Sequence, residues 1–176
     1  MKSFPWGRWA LALAAAAAIA MWPVWSSTHV DGDSADLDFV VKDMEGRDVR
    51  LADFKGRPVI LNFWATWCGP CKVEIPALIE LAEKYRDEKL VVLGVSVDDT
   101  PEDLKLFAEE YKMNYPVLVG RDQNRLQEVY DSVLLIPVTW YIRPDGTVFL
   151  KHKGPASREW FEDQLKTMLS EAMERP

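Results

Sequence analysis

After its first 25 residues, the chain contains two runs of almost continuous apolar residues, at residues 58–64 and 90–97. Neither run alternates apolar with polar positions, as a strand with one solvent-exposed face would. Runs of this length without alternation are typical of central strands that are buried on both faces of a sheet. A third, shorter strand is predicted at residues 116–119.

Between and after these runs, apolar residues recur at intervals of three and four, which is the spacing of one helix face. One helix has a well-marked start, because Thr100 can cap its N-terminus and Pro101 suits its first turn. The pattern predicts helices over residues 71–85, 101–112, 124–130 and 157–173.

Two hairpins are predicted around turns that contain Gly and Asp. They join residues 37–41 to 49–51 and residues 138–142 to 148–151. Strands that alternate with helices, followed by a terminal hairpin and helix, predict an α/β fold. We expect a central mixed sheet flanked by helices, with the first hairpin as an N-terminal extension.

The beginning of the chain differs in composition from the rest. A charge-free apolar stretch over residues 9–25 follows Lys2 and Arg8. This length is at the lower edge of what spans a bilayer, so the stretch is expected to be a membrane anchor or a signal segment. The predicted organisation is an N-terminal segment at 1–25, a linker at 26–36 and one domain at 37–176.

Two observations bear on whether this segment is retained. Trp6 and Trp9 lie at one end of it and Trp22 and Trp25 at the other, as aromatic belts at both membrane interfaces would, which favours an uncleaved anchor. Residues 18–20 read Ala-Ile-Ala, so cleavage and release as a secreted or periplasmic protein is the alternative. Because cations precede the span, the positive-inside rule predicts a single-pass protein with its domain on the extracytoplasmic side.

The charge of the chain limits the classes of partner that it is expected to bind. The formal net charge is −7, and removing the two cations Lys2 and Arg8 leaves −9 on the remainder. A body this acidic repels phosphate backbones, so nucleic acid is not expected as a partner.

Cys68 and Cys71 are the only cysteines of the chain, and two residues separate them. A C-x-x-C pair in a strand-helix setting indicates redox chemistry. A structural staple is the alternative, but closing so short a loop restricts the unfolded chain by only about 2 kcal/mol. A zinc site would need His29 and His152, which lack ligand spacing, so no metal is expected.

The position of the pair assigns a role to each cysteine. Cys68 follows a strand and a short turn, so it lies near the first turn of a helix, where unpaired N–H groups stabilise a thiolate. Cys68 is therefore the predicted nucleophile, and Cys71 the thiol that resolves the mixed disulfide. The neighbouring Trp67, Gly69 and Pro70 are expected to contact the substrate.

Glu74 is the third candidate catalytic residue. It lies three residues after Cys71, on a helix stripe that is otherwise apolar. A desolvated carboxyl there would have a raised pKa and could accept the proton of Cys71. The periodicity equally allows an exposed acid that complements the helix dipole.

The stretch LADFKGRPVILNFWATWCGPCKVEIP at residues 51–76 resembles the TlpA/ResA-like branch of the thioredoxin superfamily. Members are membrane-tethered, extracytoplasmic thiol-disulfide oxidoreductases, and the likeness extends over residues 37–154. The resemblance implies a thioredoxin-like fold and a redox-active disulfide as the only redox group. It also implies that Cys68 attacks, Cys71 resolves and Glu74 tunes the pair.

The same resemblance points to residues outside the C-x-x-C motif. Pro76 matches a helix-kinking proline, and Asn62 stands where thioredoxin has a buried aspartate. Pro137 matches a proline that follows a cis peptide bond and faces the disulfide, so Ile136 and Pro137 are expected to bind substrate. Leu135 and Val138 replace the usual glycine and threonine around it.

The resemblance implies a reductase that keeps cysteines of exported proteins reduced, such as apocytochrome c or the copper-site proteins of oxidases. Its electrons would come from a membrane donor of the thiol-reductase type. A net thiol oxidant is one alternative. A copper-binding assembly chaperone is another, although Met44 and Met113 lie far from the cysteines in sequence. The usual sequence context of a peroxidase of the related peroxiredoxin group is absent.

Overall fold

A computed structural model describes residues 32–132 and 135–174. The predicted membrane anchor or signal segment lies outside these residues. Within them, the strands are β1 Val40–Lys42, β2 Asp48–Arg50, β3 Val59–Trp64, β4 Val91–Ser96, β5 Val117–Val119, β6 Val138–Ile142 and β7 Val148–Lys153. The helices are a 3-10 turn at Leu51–Phe54 and α1 Gly69–Lys84, α2 Pro101–Tyr111, α3 Asn124–Val129 and α4 Arg158–Glu174.

The main sheet has the order β5-β4-β3-β6-β7. Strands β3, β4 and β5 run parallel, whereas β6 and β7 are antiparallel to their neighbours. Every residue of β3 and β4 is buried, as the continuous apolar runs predict. The mixed sheet flanked by helices confirms the predicted α/β fold.

Each face of the sheet supports a hydrophobic layer. Leu61 and Phe63 of β3 pack on one face with Phe39, Val41 and Leu126 of α3. Ile60 packs on the other face with buried residues of α1 and α4. Since α1 leaves the C-terminal end of β3, the cysteines lie at that edge of the sheet.

The N-terminal hairpin β1-β2 forms a separate two-stranded sheet, as expected for an extension. It attaches to the outer strand β5, because Asp43 bridges Leu118 and the N–H of Met44 donates to Val117. The hairpin therefore covers the edge of β5. Its first strand begins at Val40, later than predicted, because Leu37 and Phe39 pack into the core instead.

The described chain enters the domain at the pole opposite the cysteines. Ser34 forms a bridge with Thr147, and the N–H of Ala35 donates to Gly146, both in the turn between β6 and β7. In residues 32–132 and 135–174, no helix combines the length and the apolar character that crossing a bilayer requires.

Candidate active site

The two cysteines form a disulfide at the start of α1. Cys68 is the N-cap residue, and its Sγ accepts a hydrogen bond of 3.3 Å from the N–H of Cys71. The helix thus begins at Gly69, two residues earlier than predicted, because Pro70 suits the first turn and the Cys68 sulfur satisfies a free N–H. The same N–H and the helix dipole stabilise negative charge on Cys68 in the reduced state.

Exposure distinguishes the two cysteine residues. Cys68 is 5% exposed and Cys71 is 0% exposed. Trp67 beside them is 63% exposed, and Gly69 and Pro70 are exposed as well. A partner protein can therefore reach Cys68 across an open rim of three residues, but it cannot reach Cys71.

Glu74 is buried, with 1% of its surface exposed. Its Oε1 accepts a 2.7 Å hydrogen bond from Asn62 Nδ2, and its Oε2 accepts a 3.4 Å bond from the N–H of Ala156. Burial raises the pKa of Glu74 to about 8, while the hydrogen bonds from Asn62 and Ala156 lower it less strongly. Glu74 is therefore not an exposed first-turn acid. It lies one helical turn from Cys71 and titrates near neutral pH.

Asn62 connects this carboxyl to the sheet. Its Nδ2 also donates a 2.9 Å hydrogen bond to Thr139 Oγ1 on β6, while its Oδ1 has no partner within the described part of the chain. The structure thus brings Asn62 together with Glu74. Pro76 lies inside α1, where its ring removes one backbone donor.

Ile136 and Pro137 precede β6, the strand that pairs with β3. The peptide bond between them is cis, and Ile136 packs against the hydrophobic cluster that contains Cys68 and Cys71. Neither the N–H nor the C=O of Ile136 has a hydrogen-bond partner among the residues described. An extended segment of another protein can pair with backbone groups that the described residues leave unbonded.

Asp99 is a functional-site residue that sequence reasoning missed. It is buried, and its carboxylate accepts hydrogen bonds from the N–H of Thr66 at 2.8 Å, from Thr66 Oγ1 at 2.5 Å and from Ser96 Oγ at 2.5 Å. Asp99 thereby holds the turn that carries Trp67 and Cys68. Its position shortly after β4 could have indicated this role, because β3 and β4 are parallel and their C-terminal ends lie at the same edge of the sheet.

Among the residues described, the histidine considered for metal binding, His152, forms no ligand group with the cysteines. Within the described ranges, no group of three or more His, Cys, Asp or Glu side chains could hold a metal ion. His152 lies on β7 with its ring 4.3 Å from that of Trp160, and His29 lies outside the described residues. Met44 and Met113 pack at the border of the cluster that contains the cysteines.

Known proteins resemble this chain in sequence. The AhpC/TSA family model matches residues 32–150. The thiol-disulfide oxidoreductase ResA of Bacillus thuringiensis subsp. konkukian is 37% identical over 128 residues, which cover 73% of each chain. The thioredoxin-like protein YneN of Bacillus subtilis is 34% identical over 131 residues, which cover 73% of this chain and 75% of YneN.

Solved structures resemble it in fold. A thioredoxin-family thiol:disulfide interchange protein from Chlorobium tepidum TLS has a TM-score of 0.70 at 25% identity, covering 79% of this chain and 99% of its own. The exposed lipoprotein thioredoxin of Streptococcus pneumoniae has a TM-score of 0.64 at 32% identity, covering 74% and 98%.

These relatives carry out thiol–disulfide exchange by name, and the C-x-x-C pair of this chain is in place for the same chemistry. The enzymatic activity is thus that of a protein-disulfide reductase. From its family match, its relatives and its fold, the chain belongs to the AhpC/TSA family and, within it, to the ResA-like thiol-disulfide oxidoreductases of thioredoxin-like fold.

Proposed function

We propose that this protein is tethered to the membrane by its N-terminal segment, with its domain on the extracytoplasmic side, and reduces disulfides of exported proteins. Apocytochrome c and the copper-site proteins of oxidases are the proposed substrates. The observation that carries the reductase assignment is the pairing of a reachable Cys68 with a buried Cys71 one helical turn from a buried acid, Glu74.

The proposed reaction uses the two cysteines as its only redox group. In the reduced enzyme, the Cys68 thiolate attacks one sulfur of the substrate disulfide, whose S–S bond breaks, and the released substrate thiolate takes a proton from solvent. Cys71 then gives its proton to the Glu74 carboxylate and attacks the Cys68 sulfur. The bond between Cys68 and the substrate breaks, so the second substrate thiolate leaves. Two electrons have passed to the substrate, and the Cys68–Cys71 disulfide remains.

A group with a pKa near 8 suits this step, because it can release and take up a proton near neutral pH. The same groups work in reverse when the disulfide is reduced again. We propose that a membrane electron donor of the thiol-reductase type supplies those electrons by thiol–disulfide exchange.

The direction of net electron flow is tested by the reduction potential. The full-length protein in detergent is equilibrated with glutathione buffers, and the reduced fraction is read from thiol alkylation. We expect a value near that of thioredoxin, about −270 mV. A value near the −120 mV of strong oxidants would instead make the protein a net oxidant.

Location and substrates need separate measurements. We expect the full-length protein to stay in the membrane fraction after alkaline carbonate extraction, and its domain to be digested by protease added to spheroplasts but not to inverted vesicles. Release into the soluble fraction would favour a cleaved signal segment. Mixed disulfides captured in cells by Cys71→Ser would identify the exported substrates.

A further inference from the structure

A cleft of about 270 Å³ is lined by Trp67, the residue before Cys68, and by Ile136. The exposed fraction of Leu135 is 45%, so two large apolar side chains, Trp67 and Leu135, border the cleft from the solvent side. The apolar part of its lining is formed by Trp67, Val97, Leu135 and Ile136.

The polar side chains that line the cleft differ in whether they form hydrogen bonds within the protein. Gln127 Nε2 donates 2.9 Å hydrogen bonds to the carbonyls of Val97 and Gly120, and Ser132 Oγ donates to the carbonyl of Gln127. The side chains of Gln127 and Ser132 are therefore part of the wall of the cleft and form their hydrogen bonds within the protein.

Asp98 is different, because it is exposed and has neither a hydrogen bond nor an ion pair from its carboxylate to any described residue. The lining includes no Lys, Arg or His. The carboxylate of Asp98 is thus the one charge that the described lining presents to an incoming chain. Its neighbour Asp99, in contrast, uses both carboxylate oxygens to hold Thr66 and Ser96.

We propose that this cleft is a subsite for a lysine or arginine side chain of the substrate protein, located within two residues of the cysteine that Cys68 attacks. The aliphatic part of such a side chain packs on Trp67 and Leu135, and its cationic head pairs with Asp98. A cation next to an indole face gains a further attraction. This inference rests on the proposed function and specifies the substrate class of the same site.

The backbone beside the cleft supports this placement. The N–H and C=O of Ile136 have no partner among the described residues, so a substrate strand that pairs with them would pass Ile136, which packs against the cluster that contains the disulfide. Residues two apart in a strand point to the same side, so a side chain near the attacked cysteine is carried into the cleft when the sulfur faces Cys68.

The test uses the reduced full-length protein and a series of disulfide-linked peptide dimers. The peptides carry Lys, Gln or Glu at one position, one or two residues before or after the cysteine. The readout is the ratio of the second-order rate constants for the Lys and Glu peptides. We expect a ratio of about five or more at one of these positions in low salt, and a smaller ratio in 1 M salt, where the Debye length falls to about 3 Å.

Two substitutions separate the cleft from the overall acidity of the protein. Asp98→Asn should bring the Lys-to-Glu ratio close to one, and Asp98→Lys should invert it. Asp87→Asn is the matched control, because it changes the net charge equally at an exposed residue. Asp87 lies in the loop between α1 and β4, at the pole opposite the cysteines. This variant should keep the wild-type ratio.

Three results would overturn the proposal. Equal rates for Lys and Glu peptides at every position would remove the subsite. Equal shifts of the ratio by Asp98→Asn and Asp87→Asn would assign the preference to net charge instead. No reduction of any peptide would reject the proposed function, and the subsite with it, whereas reduction without charge preference would reject the subsite alone.

Discussion

Asn62 on β3 donates a 2.7 Å hydrogen bond to Glu74 on α1, in the buried layer between the sheet and the helix that carries the disulfide. The bond favours the ionised carboxyl, whereas burial favours the neutral one more strongly, so the pKa of Glu74 is raised to about 8. A group in this balance changes its charge over the pH range in which thiols form thiolates.

Glu74→Gln should change the titration of the cysteines and slow exchange. Above pH 8, Glu74 is ionised and its charge opposes a thiolate on Cys71. Removing that charge should therefore lower the pKa of the Cys71 thiol. The proton acceptor is also lost, so resolution of the mixed disulfide should slow by about 10²-fold or more. Thiolate absorbance against pH and single-turnover reduction of a peptide disulfide measure the two effects. Superimposable titrations with unchanged rates would end the proposed role of Glu74.

Glu74 should also make stability depend on pH. Its folded pKa of about 8 lies above the ordinary 4.5, so the folded state keeps a proton that the unfolded chain loses between these values. The free energy of unfolding therefore falls as pH rises from about 4.5 to about 8, by at most about 1.4 kcal/mol per pH unit from this group. Urea unfolding of the oxidised protein at pH 5, 6 and 7 measures the slope.

Glu74→Gln should flatten this slope relative to wild type, whereas Glu88→Gln, at an exposed position, should leave it unchanged. Equal slopes in all three proteins would show that the carboxyl of Glu74 is ionised in the folded state.

Asn62→Asp should move the pH dependence of exchange upward. The substitution puts a second carboxyl within hydrogen-bond distance of Glu74, and two buried carboxylates that close cannot both ionise. The pair should hold one proton to a higher pH, so the base form needed for resolution appears later. Single-turnover rates against pH measure the shift. Asn124→Asp, on the exposed start of α3, is the control with the same charge change.

Cys71→Ser should accumulate mixed disulfides with substrate proteins, whereas Cys68→Ser should not. A partner can reach Cys68 at the rim, but Cys71 is fully buried and can act only from within the protein. Nonreducing electrophoresis of each variant detects the adducts. Adducts formed by Cys68→Ser alone would reverse the assignment.

Asp99→Asn should destabilise the protein by about 1–3 kcal/mol, because an amide NH₂ would face donors that now point to a carboxylate. We expect slower exchange as well, since Thr66 and Ser96 then no longer hold the turn before Cys68. Urea midpoints and insulin reduction measure both, with Asp87→Asn as the exposed control. Wild-type stability would contradict the role assigned to Asp99.

The local sequence pattern was enough to predict the strands and α-helices of this fold, but not the 3-10 turn at Leu51–Phe54. The apolar runs around β3 and β4 identified the central strands because a strand buried on both faces has no polar positions to interrupt it. Thr100 was predicted as an N-cap from residue type alone, and its Oγ1 does accept from the N–H of Asp103. The first strand begins later than predicted, because Leu37 and Phe39 pack into the core instead.

The cysteine pair also located the chemistry from the sequence, because two cysteines separated by two residues at a strand-helix junction bring their sulfurs together through local geometry alone. The sequence left the state of Glu74 open, since a helix stripe does not reveal what packs against it. The tertiary structure decided that point through Asn62, 12 residues away, and Ala156, 82 residues away. It likewise brought Asp99, 33 residues away, to Thr66. Long-range contacts of this kind depend on how strands and helices pack, so no pattern within one segment could have predicted them.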